Sequence, residues 1–253
     1  MISHDYQFTT ATATHPGRVR KVNEDSIFAD PTRRIWLIAD GMGGHRDGAI
    51  ASSMIVEAVA SIPAVGSTLS GLLASVGKVN ESLLQRSNGV HDYIVGSTVI
   101  ALIVEDRRYT SLWAGDSRCY LVRGGTIEQL SKDHTEVQEL LSSGAITEEE
   151  AINWPRRNVI TRAVGVDAEL KLDGTSGVLE DDDRFVLCSD GLTGHVSDGE
   201  ILAISQRGSP QVVCDELLKL ALERGGKDNI SIIVVEASNS DRTIVLERGI
   251  HQA

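Results

Sequence analysis

The chain has 253 residues, of which 41% are hydrophobic and 24% charged, values ordinary for a globular protein with a substantial core. Its formal net charge of -12 argues against a nucleic-acid partner, because a phosphate backbone needs a basic face. No apolar run approaches the roughly 18 residues that span a bilayer, and the N-terminal segment lacks a signal-peptide pattern. Three distant cysteines, Cys119, Cys188 and Cys214, form no CxxC pair and predict reduced, buried thiols. We therefore expect a cytoplasmic protein.

The N-terminal third alternates strands with helices. A Thr-rich edge strand is predicted at Tyr6–Ala13, and a short apolar strand at Arg34–Ala39 ends abruptly at Asp40-Gly41. Apolar residues then recur at helical spacing in Asp47–Ile62 and again in Leu69–Arg86. These two segments are predicted to be amphipathic helices.

The middle of the chain changes to short β-type runs. They are Ser97–Val104, Tyr109–Ala114, Arg118–Arg123 and Thr126–Leu130. The connections between them cannot hold a crossover helix, so the strands must be antiparallel.

The C-terminal part is predicted to contain a polar surface excursion, two strands, one helix and a tail. The polar excursion covers Asp133–Trp154, and a strand follows at Arg184–Ser189. A helix is predicted from Ser209-Pro210 through Arg224, followed by a strand at Ile230–Glu236. The polar tail at 237–253 contains a weak β-run at Thr243–Leu246. Helices thus bracket an antiparallel block at both ends of the chain. This order favours one α+β domain in which two antiparallel sheets pack face to face with helices outside.

Four aspartates stand at the ends of β-type runs. Asp40, Asp116 and Asp190 each follow such a run, and Asp228 precedes the strand that begins at Ile230. Gathered at one edge, these carboxylates would repel one another unless a cation were present, and all-oxygen sites prefer Mg, Mn or Ca. Asp-Gly after a strand is also an ordinary turn. Spacing alone therefore leaves both interpretations open.

Eight motifs occur in a fixed order across nearly the whole chain. They are Arg20–Asp25, Asp40–His45, Gly96–Thr98, Trp113–Arg118, Leu130–His134, Ile160–Gly165, Cys188–Leu192 and Lys227–Ser231. In content and order they resemble the motifs of the metal-dependent PPM (PP2C-type) serine/threonine phosphatases, particularly the short bacterial members. The resemblance implies a four-layer αββα sandwich, formed as a single domain over 1–253 with a flap subdomain at 133–160.

The resemblance also implies a core site for two Mn²⁺ or Mg²⁺ ions. Asp40 would bridge the two metals, and the carbonyl of Gly41 would bind the second. Asp190 and Asp228 would complete the shell of the first metal.

Further residues would extend this site. Glu24 and Asp25 would hold metal-bound waters, and Asp116 would join Asp190 at a looser third metal. Arg20 would clamp the substrate phosphate with its planar guanidinium group.

The implied reaction is hydrolysis of phosphoserine and phosphothreonine in proteins. A water shared by the two metals would have its pKa lowered from about 15.7 toward about 7 and would attack phosphorus in line with the leaving oxygen. The general acid is open, because Met42 stands where many eukaryotic relatives carry a histidine that is suspected of this role. His45 and a metal-bound water are the candidates.

Other functions are weaker alternatives. A catalytically silent module that binds phosphoproteins would normally have lost metal ligands, yet Asp40, Asp190 and Asp228 are present. A phosphorylated Asp40 would require a second aspartate at position 42, which is Met42. The glycines after Asp40 faintly resemble a dinucleotide loop, but Arg46 replaces its third glycine.

Two stretches, Gly96–Leu102 and Trp113–Leu121, resemble phosphatases encoded with bacterial type VI secretion systems. Such enzymes oppose a threonine kinase that acts on a forkhead-associated protein. This likeness makes a phosphoprotein substrate, a serine/threonine kinase or its forkhead-associated target the expected partners of a monomeric enzyme.

Overall fold

The computed structural model describes residues 6–43, 47–63, 68–87 and 95–239. Within them the strands are β1 (Tyr6–His15), β2 (Asp25–Asp30), β3 (Ile35–Met42), β4 (Gly96–Ser97), β5 (Val99–Glu105), β6 (Arg108–Ala114), β7 (Arg118–Arg123), β8 (Thr126–Gln129), β9 (Asp173–Val178), β10 (Arg184–Cys188) and β11 (Ile230–Asn239). The helices are α1 (Asp47–Ala60), α2 (Thr68–Arg86), α3 (Glu136–Ser142), α4 (Glu148–Ile152), α5 (Asp190–Thr193), α6 (Asp198–Ser205) and α7 (Pro210–Glu223).

The strands form two antiparallel sheets. One has the order β1-β11-β10-β7-β8, and the other has the order β2-β3-β5-β6-β9 with β4 beside β3. Of the four short runs in the middle of the chain, β5 pairs with β6 and β7 pairs with β8 as antiparallel hairpins, as predicted. The predicted antiparallel link between β6 and β7 does not form, because the turn at Gly115–Ser117 carries the chain from one sheet to the other. The Thr-rich β1 lies at a sheet edge, which confirms that prediction.

The core consists of three hydrophobic clusters, and the apolar run of β3 contributes to two of them because both of its faces are buried. Trp36 and Ile38 lie between the two sheets, while Leu37 and Ala39 face α1 and α2 on the outer side. The outer face of the other sheet packs against α6 and α7, where Cys214 contributes to the third cluster. This αββα arrangement is the expected sandwich.

All three cysteines are buried and reduced, as predicted. No helix in the described ranges is long and apolar enough to cross a bilayer.

Several element boundaries differ from the prediction. β3 does not end at Asp40-Gly41 but continues to Met42, because Gly41 and Met42 pair with β4. β11 continues three residues past Glu236, so the segment predicted as a tail begins inside a strand, and Ala237 is fully buried. The weak β-run at Thr243–Leu246 lies outside the described residues.

The elements that were not predicted include β2, β9, α5 and α6. β2 and β9 lack a clear apolar alternation, and each is a strand at the edge of its sheet held by one neighbour. Helix α6 has a sequence signal that could have found it. The carboxylate of Glu200 accepts hydrogen bonds from the backbone N–H and the hydroxyl of Ser197, which is a capping-box arrangement.

A buried ion pair ties the start of β10 to β7. Arg123 binds both carboxylate oxygens of the fully buried Asp183 at 2.6 Å, and the backbone N–H of Glu180 donates to the same carboxylate. Removal of Asp183 leaves two donors of Arg123 and the backbone N–H of Glu180 without their acceptor, although Arg123 keeps its ion pair with Glu180. We therefore expect Asp183→Ala to lower the free energy of unfolding by about 2 kcal/mol. Urea denaturation in EDTA measures this loss. Glu81→Ala, which removes the same charge from an exposed position on α2, should change stability by less than about 0.5 kcal/mol. Equal effects of the two substitutions would contradict the prediction.

Candidate active site

The first two carboxylates of the site come from neighbouring strands. Asp25 at the start of β2 stands directly opposite Asp40 on β3 in the antiparallel register. Burial, followed by the charges of Asp25 and Asp190, raises the pKa of Asp40 well above its ordinary value. Burial likewise raises the pKa of Asp25, although its Oδ2 accepts a hydrogen bond from Ser189 at 2.9 Å. The carboxyl groups of Asp25 and Asp40 therefore resist being ionised at the same time.

Two further carboxylates come from the other sheet. Asp190 begins the short helix α5 directly after β10, and Asp228 lies just before β11. Burial, then the charges of Asp116 and Asp228, raises the pKa of Asp190 to about 8. The two loops can approach because Gly191 lies against Asn229, where an added Cβ would stand 1.9 Å from the carbonyl oxygen.

Asp116 lies in the turn between β6 and β7. Its residue is 8% exposed, and burial, followed by the charge of Asp133, raises its pKa to about 6. Gly115 adopts φ of 116°, and an added Cβ would stand 2.6 Å from Thr98. Thr98 also accepts a hydrogen bond from the N–H of Asp40 and contacts the hydroxyl of Ser117 at 2.9 Å. The turn carrying Asp116 is thereby fixed to the strand carrying Asp40.

Glu24 and Gly41 meet beside the start of α1. The N–H of Gly41 donates to the carbonyl oxygen of Glu24 at 3.1 Å. A Cβ on Gly41 would stand 2.0 Å from the carbonyl oxygen of Gly48, and a Cβ on Gly48 would stand 2.5 Å from Oε1 of Glu24. Only glycine at positions 41 and 48 permits this packing of strand, helix and Glu24.

Arg20 points at the same end of the sandwich. Its Nη2 donates to Oδ2 of Asp228 at 2.7 Å, and about half of the arginine side chain is exposed. The hydrogen bond and the charge of Asp228 raise the pKa of Arg20, with smaller contributions from Glu24 and Asp190. A permanent cation therefore stands beside the carboxylates with part of its guanidinium open to solvent.

Asn229 holds the Arg20 loop in place, a role that sequence reasoning missed. Its side-chain NH₂ donates to the carbonyl oxygens of Pro16 and Val22, both at 3.0 Å, and its Oδ1 accepts the N–H of Glu24 at 2.7 Å. One buried amide thus joins both ends of the loop to the start of β11. Its place directly after Asp228 was the available signal, but its partners lie more than 200 residues away.

His134 supports the Asp116 turn and does not face a substrate. Its Nδ1 accepts the N–H of Gly115 at 3.2 Å, so Nε2 carries the proton and donates to Asp173 at 3.0 Å. Arg162 binds the other oxygen of Asp173 at 2.6 Å. Burial lowers the pKa of His134, as expected for a ring whose Nδ1 must accept.

The structure therefore brings together seven side chains named from the sequence, together with Gly41. The side chains are those of Arg20, Glu24, Asp25, Asp40, Asp116, Asp190 and Asp228. His45 lies outside the described residues. Met42, which ends β3, supplies no acid two positions after Asp40.

The chemistry of this cluster suits a hard divalent cation. Oδ1 of Asp25 and Oδ1 of Asp116 are buried without a hydrogen bond to any described residue. Buried, mutually repelling oxygens are ligands of the kind that Mg²⁺ and Mn²⁺ prefer. Among the described residues, no three acidic, His or Cys side chains are already spaced around one point.

The chain is similar to known phosphatases along most of its length. A model of the family described as Protein phosphatase 2C matches residues 15–211. The serine/threonine phosphatase stp of Listeria welshimeri is 34% identical over 235 residues, which cover 88% of this chain and 93% of that protein. The serine/threonine protein phosphatase PstP of Mycobacterium tuberculosis is 37% identical over 236 residues, which cover 91% of this chain but only 45% of PstP.

Solved structures of similar proteins superpose on most of this chain. PppA, described as a key regulatory component of T6SS in Pseudomonas aeruginosa, superposes with a TM-score of 0.84 at 39% identity and covers 92% of this chain and 100% of its own. The catalytic domain of PstP in complex with two manganese ions superposes with a TM-score of 0.83 at 34% identity, covering 93% of this chain and 100% of its own.

The crowded carboxylates predict a characteristic pH dependence of stability. Folded-state pKa values of about 6 for Asp116 and about 8 for Asp190 lie above the ordinary value of about 3.9. Their contribution to stability is therefore fully present below about pH 4 and is lost as the pH rises through about 6 and about 8. In EDTA at pH 8, we expect Asp190→Asn to raise Tm above that of the wild type by about 2–4 °C, the equivalent of about 1 kcal/mol.

Differential scanning fluorimetry tests this expectation. Added Mn²⁺ should raise the Tm of the wild type more than that of Asp190→Asn, since the variant has lost one of the buried carboxylates of the cluster. Asp215→Asn, at an exposed position on α7, should behave like the wild type throughout. A variant Asp190→Asn that is less stable than the wild type in EDTA would refute the argument.

Proposed function

Because the chain belongs to the protein phosphatase 2C family, we propose that Asp40, Asp190 and Asp228 hold the metals with which it hydrolyses phosphoserine and phosphothreonine in proteins. The chain is a serine/threonine phosphatase that depends on Mn²⁺ or Mg²⁺. One observation carries the assignment of residues. Carboxylates from both sheets converge at one end of the sandwich, where burial and mutual repulsion raise their pKa values.

Each carboxylate has a proposed place around the metals. Asp40 is repelled by carboxylates from both sheets and would bridge the ions. The carbonyl of Gly41 would bind the second ion. Asp190 and Asp228 would bind the first ion, and Asp116 would join Asp190 at a third.

The support for these places is electrostatic. After burial, the charges of Asp25, Asp190, Asp116 and Asp228 all raise the pKa of Asp40, so this carboxylate is close to acidic groups from both sheets. Glu24 and Asp25 flank this group and would hold water ligands. When bound, two divalent ions supply the charge that lowers the pKa of a water for attack on phosphorus.

Arg20 would bind the substrate phosphate. Its guanidinium is held by Asp228 through one nitrogen, which orients the planar group and leaves other N–H donors for phosphate oxygens. Asn229 fixes the loop on which Arg20 stands, so this donor is positioned before the substrate arrives. Preorganised donors of this kind stabilise charge that develops in the transition state.

Protonation of the leaving oxygen cannot come from Met42, since a thioether carries no proton. His134 is also unsuitable, because both of its ring nitrogens are engaged by Gly115 and Asp173. His45 and water remain the proposed donors.

The proposed pathway is reversal of a bacterial serine/threonine kinase in the cytoplasm, with type VI secretion as the first candidate. Its support is the similarity to PppA over 92% of this chain. The first substrate to test is a forkhead-associated protein that has been phosphorylated by the serine/threonine kinase encoded beside that protein. Faster release of phosphate from this protein than from phosphorylated casein would favour the pathway, and the reverse order would count against it.

The assignment of Asp190 is tested by substitution. We expect hydrolysis of p-nitrophenyl phosphate and of a phosphothreonyl peptide to appear with Mn²⁺ and to vanish in EDTA. Asp190→Asn should lower kcat by several orders of magnitude, because it removes charge from the metal shell, while circular dichroism remains that of the wild type. Asp215→Asn is the matched control and should retain full activity. Activity of Asp190→Asn within about tenfold of the wild type would exclude the proposed role.

The segment 133–160 is proposed to act as a flap that selects protein substrates. Neither α3 nor α4 buries a residue, while the base of the segment is pinned by a bridge between Thr135 and Ile160. A cavity of about 410 Å³ lies between this segment and the carboxylates and is lined by both Asp116 and Ile152. A protein substrate must therefore pass the flap to reach the metals, whereas a small aryl phosphate need not contact it.

Replacement of residues 138–156 by a short Gly-Ser linker tests this role. We expect kcat/KM for a phosphoprotein to fall at least tenfold more than kcat/KM for p-nitrophenyl phosphate, because the protein alone loses contacts with the flap. A milder variant is Ile152→Ser, whose side chain is 65% exposed, with Val178→Ser on β9 as its control. Equal losses on both substrates would contradict the proposal.

A further inference from the structure

A second cleft lies beside Arg20. We name it the basic cleft; it has a volume of about 450 Å³ and is lined by Val19, Arg20, Lys21, Val22, Glu24 and Lys227. It shares Arg20 with the phosphate site, so a peptide whose phosphate reaches Arg20 also has residues within reach of the cleft. Apart from Arg20 and Glu24, the residues that line this cleft have no part in the proposed hydrolysis.

The charge of the cleft contrasts with that of the molecule. The chain carries a formal net charge of -12, yet three of the six residues lining the cleft are cations and only Glu24 is an anion. Arg20 is paired with Asp228, whereas Lys21 and Lys227 are exposed and form no ion pair with any described residue. Two ammonium groups are therefore available to an incoming anion.

The cleft is built before any ligand arrives. The loop from position 16 to 24 is held to the segment before β11 by Asn229, and by a hydrogen bond of 2.7 Å from the N–H of Arg18 to the carbonyl oxygen of Gly226. Gly17 lies so close to Asp228 that an added Cβ would stand 2.2 Å from its carbonyl oxygen. The chain segments that carry the two lysines are thus fixed relative to each other, which lowers the entropic cost of binding.

The cleft also has an apolar rim. Val19 is 66% exposed and Val22 is 42% exposed. Both belong to a short loop in which a polar residue would be equally compatible with solvent, so their apolar side chains are not required by the loop itself. Exposed aliphatic groups beside cations can contact the carbon atoms of a peptide while its charged group reaches the lysines.

We propose that the basic cleft is a specificity subsite, in which Lys21 and Lys227 bind an acidic side chain that flanks the phosphorylated residue of the substrate. This inference rests on the proposed function, since it takes Arg20 as the phosphate-binding group. Lys21 adjoins Arg20 in the chain, and an extended peptide advances about 3.3 Å per residue, so the acidic side chain lies within about two residues of the phosphoresidue. Two exposed ion pairs predict a preference of roughly five- to tenfold in kcat/KM.

Paired peptides test the subsite. Phosphothreonyl peptides carrying either Asp or Asn at each position from two before to two after the phosphoresidue differ only in charge. We expect the wild type to prefer Asp over Asn roughly five- to tenfold at one or more positions in 20 mM NaCl, through a lower KM. The preference should shrink toward one in 0.5 M NaCl, because salt screens exposed charges.

The double variant Lys21→Gln/Lys227→Gln should reduce the ratio of the two kcat/KM values to about one to two. The matched control Lys78→Gln/Lys219→Gln removes the same charge from exposed positions on α2 and α7 and should keep the wild-type ratio. A wild-type ratio near one, an unchanged ratio in the first variant, or an equal loss in both variants would overturn the subsite. Absence of Mn²⁺-dependent hydrolysis of p-nitrophenyl phosphate by the wild type would instead overturn the proposed function.

Discussion

The crowding of like charges at one end of the sandwich is the constraint on which the rest of the structure depends. Carboxylates from two sheets occupy a space in which burial disfavours their ionised forms, and Asp40 stands at the point where these influences add. Folding must hold them together against this repulsion. The glycines at positions 41 and 191 allow their segments to approach more closely than any other residue would permit. Bound divalent ions would offset this repulsion, since each proposed ligand would gain a partner of opposite charge.

Arg20 connects stability with substrate binding. Its contact with Asp228 places a positive charge beside the carboxylates and partly offsets their repulsion. The same guanidinium is the donor proposed for the substrate phosphate, so one side chain serves both the resting site and the substrate complex. Asn229 makes this dual role feasible, because it holds the loop of Arg20 against the start of β11. A buried amide with all its hydrogen bonds satisfied positions a flexible, exposed side chain.

Two surfaces that we propose for substrate recognition lie beside the site. The segment that contains α3 and α4 borders a cavity next to Asp116, whereas the basic cleft lies beyond Arg20. Both are loops or short helices supported by a rigid double sheet, an arrangement common for binding surfaces. The carboxylate cluster is acidic and the cleft is basic, so under the proposal a second negative charge on a phosphopeptide would bind in the cleft rather than beside the carboxylates.

The sequence by itself determined the sandwich, its antiparallel middle strands and the identities of the acidic residues, because apolar periodicity and short turns are local properties of the chain. It did not determine that Asp25 stands opposite Asp40, that Arg20 reaches Asp228, or that Asn229 joins the two loops. These contacts depend on the order and register of strands distant in sequence, which only the packed tertiary structure decides. The polar strand β9 shows the same limit, since its pairing with β6 rather than its composition makes it a strand.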